Sequence, residues 1–421
     1  MITLAVILLI IIALLGVPLF SALGAGGLLA SQTSDLSPDL LIIEMNRLAA
    51  SPNMIALPLF ILAGTIMTSG GAAQRLVVFF RAAFCWLPGG IAIAAIGACA
   101  FFTMFSGASG VTILALGGLL YPILKNEGYR KNFSLGLLTT SGSLGLLFPP
   151  SLAILIFGIV AGVSIEQLFM AGIIPGLLLM LMLAIYSIFT GHQHAIERIE
   201  FKLPALISSM RGAFWDLMLP VAIIAGIFGG FVSIMEAAAV TAGYVLFIET
   251  VVYRQINLQK QLFSILTEAS ILFGSLLIIL LIALGLTNLL IDAQIPMKVM
   301  GFLEQHIDSK LQFLLLLNLF LLVVGAIMDI FSAIVVVVPI VLPIATRYGI
   351  DPVHLGVIFL ANLEIGYSTP PMGINLFIAS ERFKQPIVKL FKSTLPFLLL
   401  MFIWLMIITY IPELSLWWKD Q

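Results

Sequence analysis

The sequence predicts an all-α polytopic membrane protein with an inverted structural repeat, two re-entrant helical hairpins and two helices broken at Pro-Pro pairs. Three observations predict this fold. Of the 421 residues, 61% are hydrophobic and only 9% are charged, whereas soluble domains carry roughly a quarter charged residues. Apolar runs recur along the whole chain between short polar connections, as in helices that cross a bilayer. Two Pro-Pro pairs lie in similar apolar surroundings, which indicates a duplication.

Composition excludes several classes of function. The net charge of -1 gives no long-range attraction to nucleic acid, so no nucleic-acid partner is expected. Cys85 and Cys99 have no metal-ligand spacing, and no nucleophile-base pair or nucleotide-binding loop is recognisable. We therefore expect neither an enzyme nor an organic cofactor. The first apolar segment, over residues 2–29, lacks a basic start and is interpreted as a retained helix rather than a signal peptide.

The duplication is visible as a constant offset. The Pro-Pro pairs begin at Pro149 and Pro370, 221 residues apart. Other glycines and prolines recur at this offset: Gly64 and Gly285, Pro122 and Pro343, Gly128 and Gly349, Gly145 and Gly366, Pro175 and Pro396. So many glycine and proline matches at a single offset, spread over more than 100 positions, are hard to explain by chance. We predict a first repeat over residues 1–210 and a linking helix with the second repeat over residues 212–421.

The charges of the connections indicate that the repeats are inverted. Residues 125–131 carry three basic side chains against one acid, whereas the second repeat balances Arg347 against Asp351. Residues 381–392 carry four basic side chains against one acid. Their counterpart in the first repeat, near Glu166, has no basic side chain. By the positive-inside rule, this reversal is typical of an inverted repeat. The connecting arm over residues 191–211 is then cytoplasmic and the C-terminus periplasmic.

Each repeat contains a predicted hairpin followed by a broken helix. A span of about 30 Å needs about 20 helical residues, and the paired apolar segments around residues 89–124 and 311–345 are shorter. We therefore expect re-entrant hairpins there, with tips at residues 106–110 and 325–329. Proline removes a backbone donor and clashes with the preceding turn. The broken helices are expected at about 133–163 and 353–381.

Two pseudosymmetric breaks at membrane depth predict a transport site, because unwound backbone is tolerated there only when it is buried or lines a cavity. Freed carbonyl oxygens and hydroxyl groups suit sodium, and half-helix N-termini suit an anion. In the first repeat, the expected sodium ligands are Ser106, Ser109, Ser141, Ser143, Gly145 and Pro149. In the second repeat they are Gly325, Asp329, Thr369, Met372 and Gly373. Sodium is the only metal expected.

Substrate contacts are expected close to the same tips and breaks. The candidates are Ser106, Gly107, Ser109, Asn362, Glu364 and Asn375. Three alternatives remain open at this point. The small residues of the first tip could serve close helix packing, Asp329 could cap the following helix, and Glu364 could form a structural pair with a neighbouring helix.

Five stretches of the sequence carry a family resemblance. They are LPLFILAGTIM at 57–67, FSGASG at 105–110, SGSLGLLFPPS at 141–151, MDIFSAIVVVVPIVLPI at 328–344 and NLEIGYSTPPMGINLF at 362–377. They resemble the motifs of the large membrane subunit (M, DctM-like) of the tripartite ATP-independent periplasmic (TRAP) transporters, and the resemblance covers essentially the whole chain. One departure is the run Ser233-Ile234-Met235-Glu236, where the family often has Thr-Pro-Thr-Glu, and no site role is assigned to it.

The resemblance implies an elevator-type ion-transporter fold, in which a moving domain holds both hairpins and binds sodium as the coupling ion. It also implies two protein partners in the bacterial inner membrane and periplasm: a small four-helix membrane subunit (Q type) and a soluble substrate-binding protein (P type). The implied substrates are small organic acids such as C4-dicarboxylates or sialic acids. Membrane lipid is expected to surround the chain.

Two other functions compete with this interpretation. A self-sufficient sodium/dicarboxylate carrier would need no binding protein and would transport with this chain alone. A channel or a structural membrane subunit would need neither paired broken helices nor coupling-ion sites.

Overall fold

The computed structural model describes residues 19–33, 53–193, 200–292 and 309–419, together with a few single residues between these ranges. All regular elements within these ranges are helical, which confirms the predicted all-α fold. Two expectations lie partly outside them. The first apolar segment is described only from residue 17 onward, and the connecting arm lacks a description at residues 194–199.

The first half of the chain contains eight α-helices. They are α1 (Leu19–Thr33), α2 (Asn53–Ser69), α3 (Ala72–Phe84), α4 (Gly90–Ser106), α5 (Ser109–Asn126), α6 (Lys131–Ser141), α7 (Leu152–Ala161) and α8 (Ile165–Gln193). A 3-10 turn, Leu144–Leu147, and the cis peptide bond Pro149-Pro150 lie between α6 and α7.

The second half contains nine described α-helices. They are α9 (Leu203–Gly212), α10 (Phe214–Phe228), α11 (Ile234–Phe247), α12 (Leu258–Asp292), α13 (Lys310–Ile327), α14 (Ile330–Arg347), α15 (Pro352–Gly366), α16 (Ile374–Phe383) and α17 (Ile387–Tyr410). A π-helical turn, Ile248–Val252, continues α11, and a 3-10 turn, Pro412–Leu414, follows α17.

Among the described residues, six helices are long and apolar enough to cross a membrane, and three sharply bent helix pairs could each add one span. The bent pairs are α2 with α3, α6 with α7, and α9 with α10. The chain is therefore a multi-pass membrane protein.

The hairpins lie where the sequence predicts them, but their tips are shorter than expected. Helices α4 and α5 leave only Gly107 and Ala108 between them, and α13 and α14 leave only Met328 and Asp329. Gly107 ends α4 with φ +65°, a left-handed conformation that glycine adopts without a Cβ clash. Because two residues suffice for each reversal, most of the small residues predicted as tips belong to helices.

The constant offset also relates the elements. Helix α14 has the bounds of α5 shifted by 221 positions, and both are followed by a glycine in the left-handed region, Gly128 and Gly349. Both Pro-Pro bonds are cis. The division of the chain near residue 210 and the opposite membrane orientation of the two halves stay predictions.

The hairpins and broken helices of the two halves pack across each other. Helix α14 packs against α7, α5 packs against α16, and α6 packs against α17. The rings of Phe157 and Phe359 meet 5.8 Å apart between α7 and α15. A second group, formed by α1, α2, α11 and α12, lies beside this core. The hairpins and broken helices of both halves therefore form one packed helical body. The first break is buried in it, whereas the second break is exposed at Pro370, Pro371 and Met372.

Candidate functional site

At the first break, the chain passes very close to hairpin helix α4. A Cβ atom on Gly145 would lie 2.3 Å from the Ala100 carbonyl oxygen and 2.4 Å from the Met104 nitrogen. Real Cβ atoms do not approach backbone atoms so closely, so only glycine permits this contact. The predicted residue Gly145 therefore holds the unwound segment against the hairpin.

A chain of hydroxyl groups connects this break to the first hairpin tip. The Thr103 and Thr112 hydroxyl oxygens are 2.7 Å apart, and Thr103 donates to the Gly142 carbonyl oxygen at 2.8 Å. The Ser106 hydroxyl lies 3.4 Å from that of Thr112. Oxygen atoms from both hairpin helices and from the break thus converge.

Two buried serines at the same break have hydroxyl groups with no hydrogen-bond partner among the described residues. They are Ser141, at the end of α6, and Ser151, at the start of α7. The predicted ligand Ser143 instead donates to the Thr140 carbonyl oxygen at 3.1 Å. Because buried polar atoms are nearly always satisfied, Ser141 and Ser151 have free capacity for a ligand or an ion.

The second break repeats the close approach to a hairpin. A Cβ atom on Gly366 would lie 2.5 Å from the carbonyl carbon of Gly325. The Met372 N-H donates to the Ala326 carbonyl oxygen at 3.0 Å, and the Ile330 N-H donates to the Tyr367 hydroxyl. Two predicted ligands, Gly325 and Met372, therefore join the break to the hairpin, together with Gly366, which the sequence analysis identified only as a member of the repeat.

Asp329 caps helix α14. One of its carboxylate oxygens accepts from the N-H groups of Phe331 and Ser332 at 3.0 Å each, and the other accepts from the Ser332 hydroxyl. The capping alternative is thus realised. The predicted residues Thr369 and Gly373 lie in the break itself, where the Gly373 N-H donates to the Thr369 carbonyl oxygen at 3.1 Å.

One side-chain contact joins the two halves between the breaks. The Ser109 hydroxyl donates to Asn375 Oδ1 at 2.7 Å, and Asn375 Nδ2 approaches the Thr139 carbonyl oxygen at 3.5 Å. Ser109 begins the second hairpin helix of the first repeat, and Asn375 begins the half-helix after the second break. All three residues are buried. Two of the predicted substrate residues are therefore in direct contact.

Asn362 and Glu364, the other two predicted substrate residues with an amide or acidic side chain, lie in different surroundings from Asn375. Asn362 Nδ2 donates to Asn318 Oδ1 at 2.7 Å, and Asn318 in turn donates to the Thr409 hydroxyl at 3.2 Å. This places Asn362 in a buried network between α13, α15 and α17. Glu364 is fully buried, and neither carboxylate oxygen has a partner in the described part of the chain.

Sequence reasoning missed Thr103, Thr112 and Tyr367. Thr103 and Thr112 flank the first tip inside apolar helices, and Tyr367 directly follows Gly366. Their position beside predicted tips and breaks is a signal that could have found them. Within the described ranges, no three His, Cys, Asp or Glu side chains group closely enough to hold a metal ion. The ligands available at the breaks are hydroxyl and carbonyl oxygens.

Two hairpin tips that contact two broken helices within a multi-pass helical protein define a membrane transport protein. The family model of the tripartite ATP-independent periplasmic transporter, DctM component, matches residues 6–414. The chain belongs to this family of TRAP transporter large permeases, and the resemblance found in the motifs is confirmed.

Individual relatives agree with the family. The chain is 35% identical to the C4-dicarboxylate TRAP transporter large permease protein DctM of Vibrio cholerae, over 98% of this chain and 96% of that protein. It is 32% identical to the sialic acid TRAP transporter permease protein SiaT of Haemophilus influenzae, over 86% of this chain and 59% of that protein. In fold it is similar to the YdaH transporter of Alcanivorax borkumensis, with a TM-score of 0.64 and 15% identity over 90% of this chain and 88% of that one.

Proposed function

We propose that this chain is the sodium-driven permease of a system that takes up a small organic acid across the bacterial inner membrane. The single observation that carries the proposal is the Ser109–Asn375 contact between two unwound, glycine-packed breaks. A transport site between repeats needs such an arrangement, because each repeat supplies half of it.

Sodium coupling is supported by the oxygen atoms at the breaks. Sodium prefers several oxygen ligands, and unwound carbonyl groups with hydroxyl groups provide them without a full charge. At the first break, the buried hydroxyl oxygens of Ser141 and Ser151 have no partner in the described part of the chain, and Ser106 lies beside the tip. At the second break, Thr369 and Gly373 provide carbonyl oxygens, and Asp329 provides a negative charge at the tip.

The substrate class follows from the polar groups at the centre. Ser109, Asn375 and the half-helix that begins at Ile374 can donate hydrogen bonds to a carboxylate, and the helix N-terminus is electrostatically positive. C4-dicarboxylates and sialic acids, which appear in the names of two relatives, both contain carboxylate groups. We therefore propose a carboxylate substrate, with Gly107 allowing close approach at the first tip.

An elevator movement is supported by the boundary between the core and the neighbouring helix group. It is apolar where α7 and α14 meet α2 and α12, with Leu57, Ile156, Leu276 and Phe331 among its residues. An apolar boundary of this kind can slide at low cost. The hairpins and broken helices would move as one body, because they contact each other across the repeats.

Two protein partners follow from membership of the family. We propose a small membrane subunit that binds the outer surface of this chain and a periplasmic binding protein that delivers the substrate. The first experiment is uptake of labelled organic acids into proteoliposomes under an inward sodium gradient, with the chain alone and with both partners. Uptake that requires sodium and both partners is expected. Uptake by the chain alone would favour a self-sufficient carrier, and leakage without sodium would favour a channel.

A matched pair of variants tests the site. Ser109→Ala removes the hydroxyl group between the breaks, whereas Ser275→Ala removes an exposed hydroxyl group on α12 that donates to the Leu272 carbonyl oxygen. We expect at least a tenfold fall in kcat/KM for Ser109→Ala, because a hydrogen bond near a charged ligand contributes about 1.5–3 kcal/mol. Ser275→Ala should transport normally. Equal activity of both variants would contradict the proposed site.

A further inference from the structure

Basic residues from both halves of the chain meet at one end of the transport core. Helices α5 and α16 bring the rings of Tyr121 and Phe383 to 5.2 Å. Helices α6 and α17 are so close that a Cβ atom on Gly136 would lie 2.1 Å from the Ser393 carbonyl oxygen. The end of α5, the start of α6, the end of α16 and the start of α17 therefore form one surface.

This surface has a strong positive charge. We name its seven basic residues the basic patch: Lys125, Arg130, Lys131, Arg382, Lys384, Lys389 and Lys392. All are exposed except Lys389, which is half-buried. Residues 125–131 and 381–392, which contain the patch, include only two acids. One of them, Glu127, pairs with Arg81 at 3.0 Å. The patch thus has a large excess of positive charge.

Two lysines of the patch lie at the starts of neighbouring helices. Lys131 begins α6, Lys389 lies in the first turn of α17, and these two helices pack closely against each other, so the two like charges repel. Two ammonium groups are both donors and cannot satisfy each other. Both lysines also lie in the first turn of a helix that has no acid in that turn, where the helix dipole already disfavours a positive charge. An anion that contacts both lysines would relieve this repulsion.

Charges at the end of the second hairpin are arranged differently. There, Lys419 pairs with Asp351 at 2.5 Å, and Lys310 donates to the Gly349 carbonyl oxygen at 3.0 Å. At that end, an acid of the protein neutralises Lys419, and a carbonyl oxygen accepts a hydrogen bond from Lys310. Positive residues that served only to set the orientation of the helices in the membrane could lie anywhere on that side. They would not need to bring lysines from the two repeats together.

Below the patch, helix α17 presents an apolar stripe to its surroundings. Val388, Lys392, Leu395 and Leu399 follow each other at intervals of three or four residues, so they lie on one face. The three apolar members are exposed, with Leu399 63% accessible. A ligand with an anionic head and an apolar tail matches this order of charge and hydrocarbon.

We infer that the basic patch binds the phosphate headgroup of anionic phospholipids, with an acyl chain along the exposed stripe of α17. Lysines and arginines at the ends of membrane helices attract anionic lipid, each by about 1 kcal/mol, and Lys131 and Lys389 would share one phosphate. This lipid site is distinct from the substrate site and belongs to the same moving core.

The test compares lipid retention by the purified full-length chain. Native mass spectrometry would count bound phosphatidylglycerol and cardiolipin against phosphatidylcholine for the unmodified chain, for Lys131→Gln/Lys389→Gln, and for the matched control Lys202→Gln/Lys260→Gln. The control removes the same charge at two exposed positions outside the patch. We expect the patch variant to lose roughly 25-fold in affinity for the anionic lipids, the factor that corresponds to two lysines, and the control to retain it.

A charge-preserving variant separates binding from folding. Lys131→Arg/Lys389→Arg should retain the lipids, and all variants should elute as one species in size-exclusion chromatography. The inference is overturned if the control variant loses as much anionic lipid as the patch variant. It is also overturned if soluble glycerol phosphate competes as well as the lipids, because the site would then bind a free anion without using the apolar stripe.

Discussion

Single glycines decide how closely the hairpins approach the breaks. Gly366 faces Gly325, so two backbones touch without side chains between them, whereas at the equivalent contact Gly145 faces Met104. The offset of 221 relates both members of these pairs. The contact in the first repeat therefore needs one glycine, Gly145. The contact in the second repeat has two, Gly366 and Gly325.

Replacing Gly366 by alanine tests this packing. The new Cβ would lie 2.5 Å from the Gly325 carbonyl carbon, and because the obstacle is backbone, the second hairpin tip must move. We expect a loss of about 1–3 kcal/mol in stability and slower uptake, measured by thermal unfolding in detergent and by the proteoliposome assay. The control is Gly243→Ala on α11, where a Cβ meets no atom within 4 Å. A normal melting temperature for Gly366→Ala would contradict the close contact.

The hydrogen bond between Ser109 and Asn375 can be measured by a double-mutant cycle. Ser109→Ala, Asn375→Ala and the double variant would be compared by thermal unfolding. Because the bond is buried and 2.7 Å long, we expect a coupling free energy of about 1 kcal/mol. Additive effects of the two single variants would show that the residues do not stabilise each other.

At the scale of elements, acidic caps determine where several helices begin. Asp329 caps α14, Asp351 caps α15, and Ser233 forms a reciprocal capping box with Glu236 at the start of α11. The capping box gives Glu236 a structural role at the start of α11. A cap satisfies backbone N-H groups that have no partner inside the helix, so these acids have a structural role whatever else they bind.

Asp351 should make stability depend on pH. Burial alone would raise the pKa of Asp351, but hydrogen bonds from Lys419 and from the N-H groups of Val353 and His354 outweigh burial and hold the pKa below its ordinary value of 3.8. A lowered pKa in the folded state stabilises the protein above pH 3.8, and this contribution is lost as the pH falls further. Since the pair is partly exposed, we expect at most about 1 kcal/mol.

Substitution of Asp351 separates the cap from the ion pair. Asp351→Asn keeps an oxygen for the helix N-H groups and loses the pair with Lys419, whereas Asp351→Ala loses both. Thermal unfolding at pH 7 and pH 3 should show Asp351→Asn intermediate at pH 7, with a smaller deficit relative to the unmodified protein at pH 3. Glu200→Gln, at an exposed position, is the control. An equal deficit of Asp351→Asn at both pH values would exclude the ion pair as its cause.

At the scale of the whole molecule, one buried ion cluster joins three distant segments. Arg75 Nε on α3 donates to Asp216 Oδ2 on α10 at 2.6 Å, and Arg75 also pairs with Glu249 in the π-helical turn. Its guanidinium carbon lies 3.7 Å from the centre of the Tyr253 ring. The cluster holds two bent helix pairs against α11, so it stabilises the part of the protein beside the transport core.

Removal of Arg75 should destabilise the whole chain. Arg75→Met leaves two buried carboxylates without their cation, and breaking a buried pair in this way costs about 3–5 kcal/mol. Fluorescence-detected size-exclusion chromatography after heating would measure the fall in melting temperature. Lys260→Met, which removes an exposed cation from α12, should change it little. If Arg75→Met were as stable as this control, the cluster would not be a structural support.

The hairpins, the two breaks and the repeat could be predicted from the sequence because their causes are local. Proline lacks a backbone donor, and hydrophobic length limits what can span a bilayer. The prediction was less accurate at the tips, because whether Ser109 or Ile327 continues a helix depends on hydrogen bonds that sequence patterns do not resolve. The roles expected for the candidate ligands and substrate contacts stay predictions.

Sequence alone thus determined the family, the order of helices, hairpins and breaks, and the glycines and prolines that shape them, since each follows from short-range chemistry. Only the tertiary structure decided which polar groups meet. Ser109 and Asn375 are 266 positions apart, and Asn362 turns toward Asn318 although it was expected beside the substrate. The rotation of a buried helix about its axis is set by packing against neighbours from both halves, and no local pattern contains that information.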